Sequence, residues 1–177
     1  LNDKTAMDAY FLYERTDGKH GIIAIETKYT DILGTNPASN PSFAIRQATE
    51  NIGISQLLTD EGIAGITKRD IKLSQVYRNF LLTETVRLHE HLDDSISIIL
   101  SPKENISNEE DESSLRSILR DEYKYKFQSV TLESFVSALI RGFPEIDLFR
   151  RFENRYLDFE RVTKLIYDAE LHENSKW

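Results

Sequence analysis

Two short apolar stretches near the start of the chain, residues 9–13 and 22–25, flank a Thr-Asp-Gly-Lys segment at residues 16–19. The middle segment has the composition of a tight turn, and the second stretch is rich in β-branched isoleucine. This alternation predicts an antiparallel β-hairpin whose turn is centred near residues 17 and 18. Because side chains alternate along a strand, a register shift of one residue would exchange the two faces.

Helical periodicity replaces the strand pattern further along the chain. Residues 41–52 predict a first helix, and residues 68–92 predict the longest one. In the long helix the residues that recur at helical spacing are Leu73, Val76, Tyr77, Phe80, Leu81, Glu84 and Leu88. Between the two helices, Gly62 and Gly65 interrupt the pattern, so residues 60–67 are predicted to form a loop. The apolar stripe of the long helix should pack on the hairpin.

Residues 95–100 form another alternating apolar segment, which ends at Pro102 and predicts a strand that joins the hairpin. A short strand at residues 126–130 and a helix from Thr131 to Arg141 follow, and one or two further helices are expected after Pro144. These elements together predict an α/β fold with a mixed sheet of about four strands flanked by helices.

Asp8, Glu26 and Lys28 stand out chemically within the hairpin. Residues i and i+2 of a strand share a face, so Glu26 and Lys28 should project together, with Asp8 opposite them on the neighbouring strand. Mg²⁺ prefers oxygen ligands, and Asp8, Glu26 and the backbone carbonyl of Thr27 would supply three. Such a metal activates a bound water and polarises a phosphate, while Lys28 would orient or deprotonate that water.

A plainer interpretation of the same three residues stays open. Surface hairpins commonly carry acidic and basic side chains as solubilising residues or as cross-strand ion pairs. The catalytic interpretation is favoured because Glu26 and Lys28 directly follow an apolar strand that is predicted to be buried on both faces.

At Asp8, Glu26 and Lys28 the chain resembles the PD-(D/E)XK nuclease superfamily, although Met7 stands where the signature has proline. Segments 25–30 and 75–79 look similar to bacterial restriction-endonuclease-like proteins, which are mostly uncharacterised. The resemblance implies a restriction-endonuclease-like fold and a metal-dependent DNA endonuclease that uses Mg²⁺ or Mn²⁺, with a role in restriction or defence as the expectation. On this view Asp8 and Glu26 hold the metal.

The long predicted helix adds candidates for contact with substrate. Gln75, Arg78 and Asn79 lie three or four residues apart and therefore share a flank of that helix. Gln75 and Arg78 are predicted to assist at the phosphate. Ordinary solvent-exposed helix surface is the alternative for each.

The resemblance also shapes the expected domain organisation. One nuclease-like domain over residues 1–177 is predicted, with a catalytic core at 1–102 and a helical part at 103–177. Superfamily members carry a helix before the hairpin that often brings a further acidic ligand, and no such helix is present in the sequence given. The domain is therefore expected to lack its N-terminal helix.

Composition narrows the remaining possibilities. The net charge of −8 argues against indiscriminate nucleic-acid binding, and part of the acidity is concentrated in residues 104–112. The chain contains no cysteine, which excludes disulfides and is compatible with the cytoplasm. No apolar run is long enough for a membrane span. P-loop, α/β-hydrolase and repeat patterns are also missing.

DNA is the expected partner, and a homodimer is compatible because cutting both strands needs two sites. The main alternative is a catalytically inactive member of the same fold that serves as a DNA-binding or protein-interaction module. A third interpretation, a purely structural helical interaction protein, predicts that Asp8, Glu26 and Lys28 lie scattered on open surface.

Overall fold

The computed structural model describes residues 6–29, 43–68, 75–105, 109–158, 160–161 and 163–164. The strands are β1 Ala9–Glu14, β2 His20–Thr27, β3 Asp94–Ser101 and β4 Phe127–Thr131. The helices are α1 Phe43–Glu50, α2 Ile52–Ser55, α3 Asp60–Lys68, α4 Gln75–His89, α5 Glu109–Ile118, α6 Leu132–Gly142 and α7 Asp147–Tyr156, with a 3₁₀ helix at Asp121–Lys126. None of the described helices has the length and apolar character needed to cross a membrane.

The four strands form one mixed sheet in the order β1-β2-β3-β4. Strand β1 is antiparallel to β2, with Ala9 opposite Ile25, and β2 is parallel to β3, with Glu26 opposite Ile99. The α/β fold expected from the sequence, a mixed sheet of four strands flanked by helices, is confirmed. Strand β1 lies at the edge of the sheet, and β2 is buried along most of its length.

The turn of the hairpin is built by local chemistry. The backbone N–H of Arg15 donates to the carbonyl of Lys19 at 2.7 Å, and that of Gly18 donates to the carbonyl of Arg15 at 2.9 Å. Gly18 has a φ of +80°, which glycine adopts without the steric cost that a side chain would impose. The predicted hairpin, including the position of its turn, is therefore confirmed.

The chain divides into two compact units, residues 1–130 and 131–177. The sheet and helices α1 to α5 belong to the first unit, whose core contains the following buried side chains: Ile54, Leu57, Leu58, Ile66, Val76, Tyr77, Phe80, Leu81, Ile99, Leu115, Ile118, Leu119 and Phe127. In the second unit, the hydroxyl of Thr131 accepts a hydrogen bond from the backbone N–H of Ser134 at 3.2 Å and so caps α6.

The predicted loop at residues 60–67 is wrong, because helix α3 occupies this segment. Its start is stabilised by the hydroxyl of Thr59, which accepts from the backbone N–H of Gly62 at 3.0 Å. A Cβ added at Gly62 would lie 2.8 Å from the Cβ of Ile118. Gly62 therefore permits close packing of α3 against α5 and does not interrupt α3.

The predicted long helix is confirmed over α4, but its predicted start at residue 68 is wrong. Lys68 is the last residue of α3, while residues 69–74 lie outside the described part of the chain. Helix α4 packs against β2 and β3, as the apolar stripe predicted. Its first residue, Gln75, consequently lies at the end of the helix that approaches the end of β2.

Substitution of Gly21 tests the packing of the hairpin. An added Cβ would lie 2.4 Å from the ring and hydroxyl of Tyr13, the residue that pairs with Gly21 across the strands. We expect Gly21→Ala to reduce the free energy of unfolding by about 1–3 kcal/mol, because the aromatic ring must move. Urea denaturation measures this effect. Gly142→Ala is the control, since its Cβ would meet no atom within 4 Å. Equal midpoints for the two variants would contradict the expectation.

Candidate active site at the end of strand β2

Glu26 and Lys28 form a buried ion pair where β2 ends. The ammonium of Lys28 lies 2.6 Å from Oε1 of Glu26, and the two residues are 8% and 5% exposed, respectively. Removing charges from water is costly unless they are paired and hydrogen-bonded. Their burial therefore contradicts the interpretation as ordinary solubilising residues of a surface hairpin.

The backbone around Lys28 is fixed by segments that are distant in sequence. The backbone N–H of Lys28 donates to the carbonyl of Leu100 at 2.8 Å, which extends the pairing of β2 with β3 by one residue. The side-chain amide of Asn105 donates to the carbonyl of Lys28 at 3.4 Å. Strand β3 and the turn after it thus fix the backbone of Lys28, and with it the position of the ammonium group.

Asp8 lies immediately before β1 and joins the same region through the backbone. Its carboxylate Oδ2 accepts a hydrogen bond from the backbone N–H of Thr27 at 2.7 Å, and its own N–H donates to the carbonyl of Ile25 at 3.1 Å. In contrast to Glu26, Asp8 is exposed. The structure therefore brings Asp8 to the residue that separates Glu26 from Lys28.

Strand geometry indicates where the carbonyl of Thr27 points. The N–H and C=O of one strand residue face the same neighbouring strand. Since the N–H of Thr27 faces Asp8, we expect its carbonyl to lie on the same side. The carboxylates of Asp8 and Glu26 and the carbonyl of Thr27 then lie at the same end of the β1–β2 hairpin.

Among the candidates on α4, Gln75 reaches this site. Its side-chain Nε2 donates to Oε1 of Glu26 at 2.7 Å. No hydrogen bond or ion pair joins Arg78 to Asp8, Glu26 or Lys28 in the described part of the chain, and the buried Nε of Arg78 has no partner there. The side-chain amide of Asn79 is buried and likewise has no partner among the described residues.

The arrangement suits a hard divalent cation. Mg²⁺ keeps several of its waters, so one or two carboxylates with a carbonyl are sufficient to bind it. No group of three or more histidine, cysteine or acidic residues suited to a metal occurs among the described residues. The oxygen donors of Asp8, Glu26 and Thr27 would suit Mg²⁺ or Mn²⁺ better than a metal that requires nitrogen or sulfur ligands.

A family model described as the PD-(D/E)XK nuclease superfamily matches residues 1–158, which is most of the chain. The chain belongs to the PD-(D/E)XK nuclease superfamily. No curated protein and no solved structure matches it. The family expected from Asp8, Glu26 and Lys28 is confirmed, and with it a function of the nuclease type in general terms.

Membership of the PD-(D/E)XK superfamily also decides against the third interpretation. A purely structural helical interaction protein predicted that the three residues would lie scattered on open surface. Instead, Glu26 and Lys28 are paired in the interior, and Asp8 is hydrogen-bonded to Thr27 between them. Sequence reasoning overlooked Asn105, because a contact between residues 28 and 105 leaves no local pattern.

Proposed function

We propose that this PD-(D/E)XK chain is a metal-dependent DNA endonuclease that hydrolyses phosphodiester bonds in a restriction or defence system. The observation that carries the proposal is the buried Glu26–Lys28 pair, with Asp8 hydrogen-bonded to the residue between them. An ammonium beside a carboxylate, in a site closed to most water, acts on charge far more strongly than it would in solution. This is the property that phosphate hydrolysis requires.

Each residue receives a distinct role. Asp8, Glu26 and the carbonyl of Thr27 would hold Mg²⁺ or Mn²⁺, which supplies an activated water and polarises the phosphate when bound. The ammonium of Lys28 orients the attacking water or removes its proton, and it offsets the negative charge that develops on the phosphate. Arg78, whose Nε has no partner among the described residues, is the candidate for direct contact with a phosphate.

DNA is the proposed substrate, and the cytoplasm is the proposed compartment. The net charge of −8 would repel the phosphates of DNA from most of the protein surface. We therefore expect DNA to bind at a local surface that is basic or neutral. A homodimer would supply one active site for each strand of a duplex.

The second candidate is an inactive PD-(D/E)XK module that binds DNA or another protein. One observation favours it: Oε1 of Glu26 already accepts hydrogen bonds from both Lys28 and Gln75, and these two contacts reduce the capacity of that oxygen to bind a metal. Measurements of Mn²⁺ binding and of DNA cleavage distinguish the two candidates. A nuclease would bind the ion and cleave DNA, whereas an inactive module would bind the ion weakly and cleave no DNA.

The decisive experiment measures cleavage of plasmid DNA with Mg²⁺, with and without chelator, by wild type, Asp8→Asn and Glu26→Gln. Asparagine keeps an oxygen that can accept from Thr27, and glutamine keeps one that can accept from Gln75, so folding should be preserved. We expect each variant to lose activity by about 10²–10³-fold, because each removes a negative charge from the metal site. Chelator should abolish wild-type cleavage.

Glu14→Gln is the matched control, because Glu14 is an exposed carboxylate on the same hairpin. It should cleave like wild type. Chelator-resistant cleavage, or full activity of both site variants, would refute the assignment of Asp8 and Glu26 as metal ligands. Wild-type protein that cleaves no DNA would favour the inactive module.

A further inference from the structure

The two carboxylate oxygens of Glu26 have different environments. Oε1 accepts hydrogen bonds from Lys28 Nζ at 2.6 Å and from Gln75 Nε2 at 2.7 Å. Among the described residues, no side chain donates to Oε2. One oxygen is thus held by the protein, while the other is the better candidate for a metal ligand.

Such an asymmetry needs a rigid donor. The terminal torsion of a glutamate side chain is broad, so a carboxylate with few contacts can exchange its two oxygens. Gln75 is the first residue of α4, and the next turns of that helix are fixed in the core by the buried side chains of Val76 and Phe80. The amide of Gln75 therefore acts on Glu26 from a fixed element of the fold.

We infer that Gln75 is a positioning residue for the metal ligand Glu26, and not a residue that contacts the phosphate. It fixes the orientation of the carboxylate, so that Oε1 stays with Lys28 and Oε2 stays available to Mg²⁺ or Mn²⁺. Carboxylates that bind metals are commonly hydrogen-bonded from a second layer of residues in this manner. The inference rests on the proposed function, because it assumes that Glu26 binds a metal.

The test is the dissociation constant of Mn²⁺, measured by electron paramagnetic resonance on the protein without DNA. We expect Gln75→Leu to weaken Mn²⁺ binding by about 10–100-fold, because the carboxylate, left with Lys28 as its partner among the described residues, is less well oriented for the ion. Gln75→Ala also removes the amide without adding branched bulk, so agreement between the two variants excludes a steric artefact. Gln47→Leu is the matched control, since Gln47 is an exposed residue of α1.

Kinetics provide a second readout that a merely structural role would not affect. At saturating Mn²⁺, cleavage by Gln75→Leu should return towards the wild-type rate, with an unchanged KM for DNA. Arg78→Gln should show the opposite behaviour, an increased KM for DNA with normal Mn²⁺ affinity.

The possible failures are distinguishable. Normal Mn²⁺ affinity in Gln75→Leu, combined with an increased KM for DNA, would overturn the inference and assign Gln75 to the phosphate, while the proposed function would stand. Wild-type protein without measurable Mn²⁺ binding would overturn the metal site itself, and the positioning role with it.

Discussion

Lys28→Gln is expected to reduce DNA cleavage by about 10²–10⁴-fold while the protein remains folded. The substitution removes the ammonium that would orient the water and balance the developing charge. Glutamine retains an N–H donor for Glu26, which is important because that carboxylate is 5% exposed. Truncation to alanine would leave Glu26 with Gln75 as its remaining partner among the described residues, and an unpaired buried charge destabilises a fold.

Single-turnover cleavage of an end-labelled duplex measures this effect, and thermal unfolding of the same preparation verifies the fold. Lys28 is not a proposed metal ligand, so Mn²⁺ binding should persist in the variant. This outcome would separate Lys28→Gln from Glu26→Gln, which should lose both properties. Cleavage at the wild-type rate by Lys28→Gln would remove Lys28 from the mechanism.

The second large effect concerns stability, at a buried polar network between α4, β3 and the 3₁₀ helix. Glu84 is 1% exposed and accepts hydrogen bonds from Ser95 Oγ and, at 2.6 Å, from Arg87 Nε. It also forms an ion pair with Lys126 Nζ at 3.4 Å. Lys126 also donates to Ser95 Oγ at 2.9 Å and to Asp94 at 3.0 Å. Burial is the largest single effect on the pKa of Asp94 and raises it. The charge and hydrogen bond of Lys126, with the hydrogen bonds from Ser95 N–H and Tyr125, together lower this pKa below its ordinary value.

Glu84→Ala should therefore reduce the free energy of unfolding by about 3–5 kcal/mol, because it leaves the buried ammonium of Lys126 without one of its carboxylates. The double variant Glu84→Leu/Lys126→Met removes both charges. Its loss in free energy of unfolding should therefore be smaller than the sum of the losses in Glu84→Leu and Lys126→Met. Urea denaturation measures all of these values. Lys124→Met is the control, because Lys124 pairs with the exposed Asp121 and should change stability little. Strict additivity in the double variant would show that the network is not energetically coupled.

Local patterns predicted the hairpin and the position of its turn, whereas the exact register was left open and comes from the structure. The turn chemistry of residues 16–19 indicates the centre of the hairpin to within one residue, and the observed pairing of Ala9 with Ile25 corresponds to a centre at residue 17. Once the register is fixed, the relation of Asp8 to residues 26–28 follows. The prediction of Gln75 on the flank of a helix near this edge rested on helical periodicity together with the family resemblance of residues 75–79, and the predicted contact was with a phosphate, whereas the observed one is with Glu26.

Features that depend on contacts between distant segments could not be predicted from local sequence patterns. Gly62 signals an interruption in sequence, yet its place in α3 is decided by contact with Ile118 on a distant helix. Glu84 fitted the stripe of the long helix by spacing, but its partner Lys126 belongs to a segment with no local relation to it. Charge pairing between distant residues has no periodicity, so a single sequence cannot reveal it.

The hydrogen bond from Lys28 to Leu100 has a consequence for biosynthesis. Asp8, Glu26 and Lys28 are synthesised before β3, because the parallel partner of β2 follows helices α1 to α4 in the chain. Non-local strand pairing is a slow step in folding, because a long loop must close first. A nascent chain that ends before β3 therefore carries all three signature residues without the strand that orders them, so the site can form only after β3 has been synthesised.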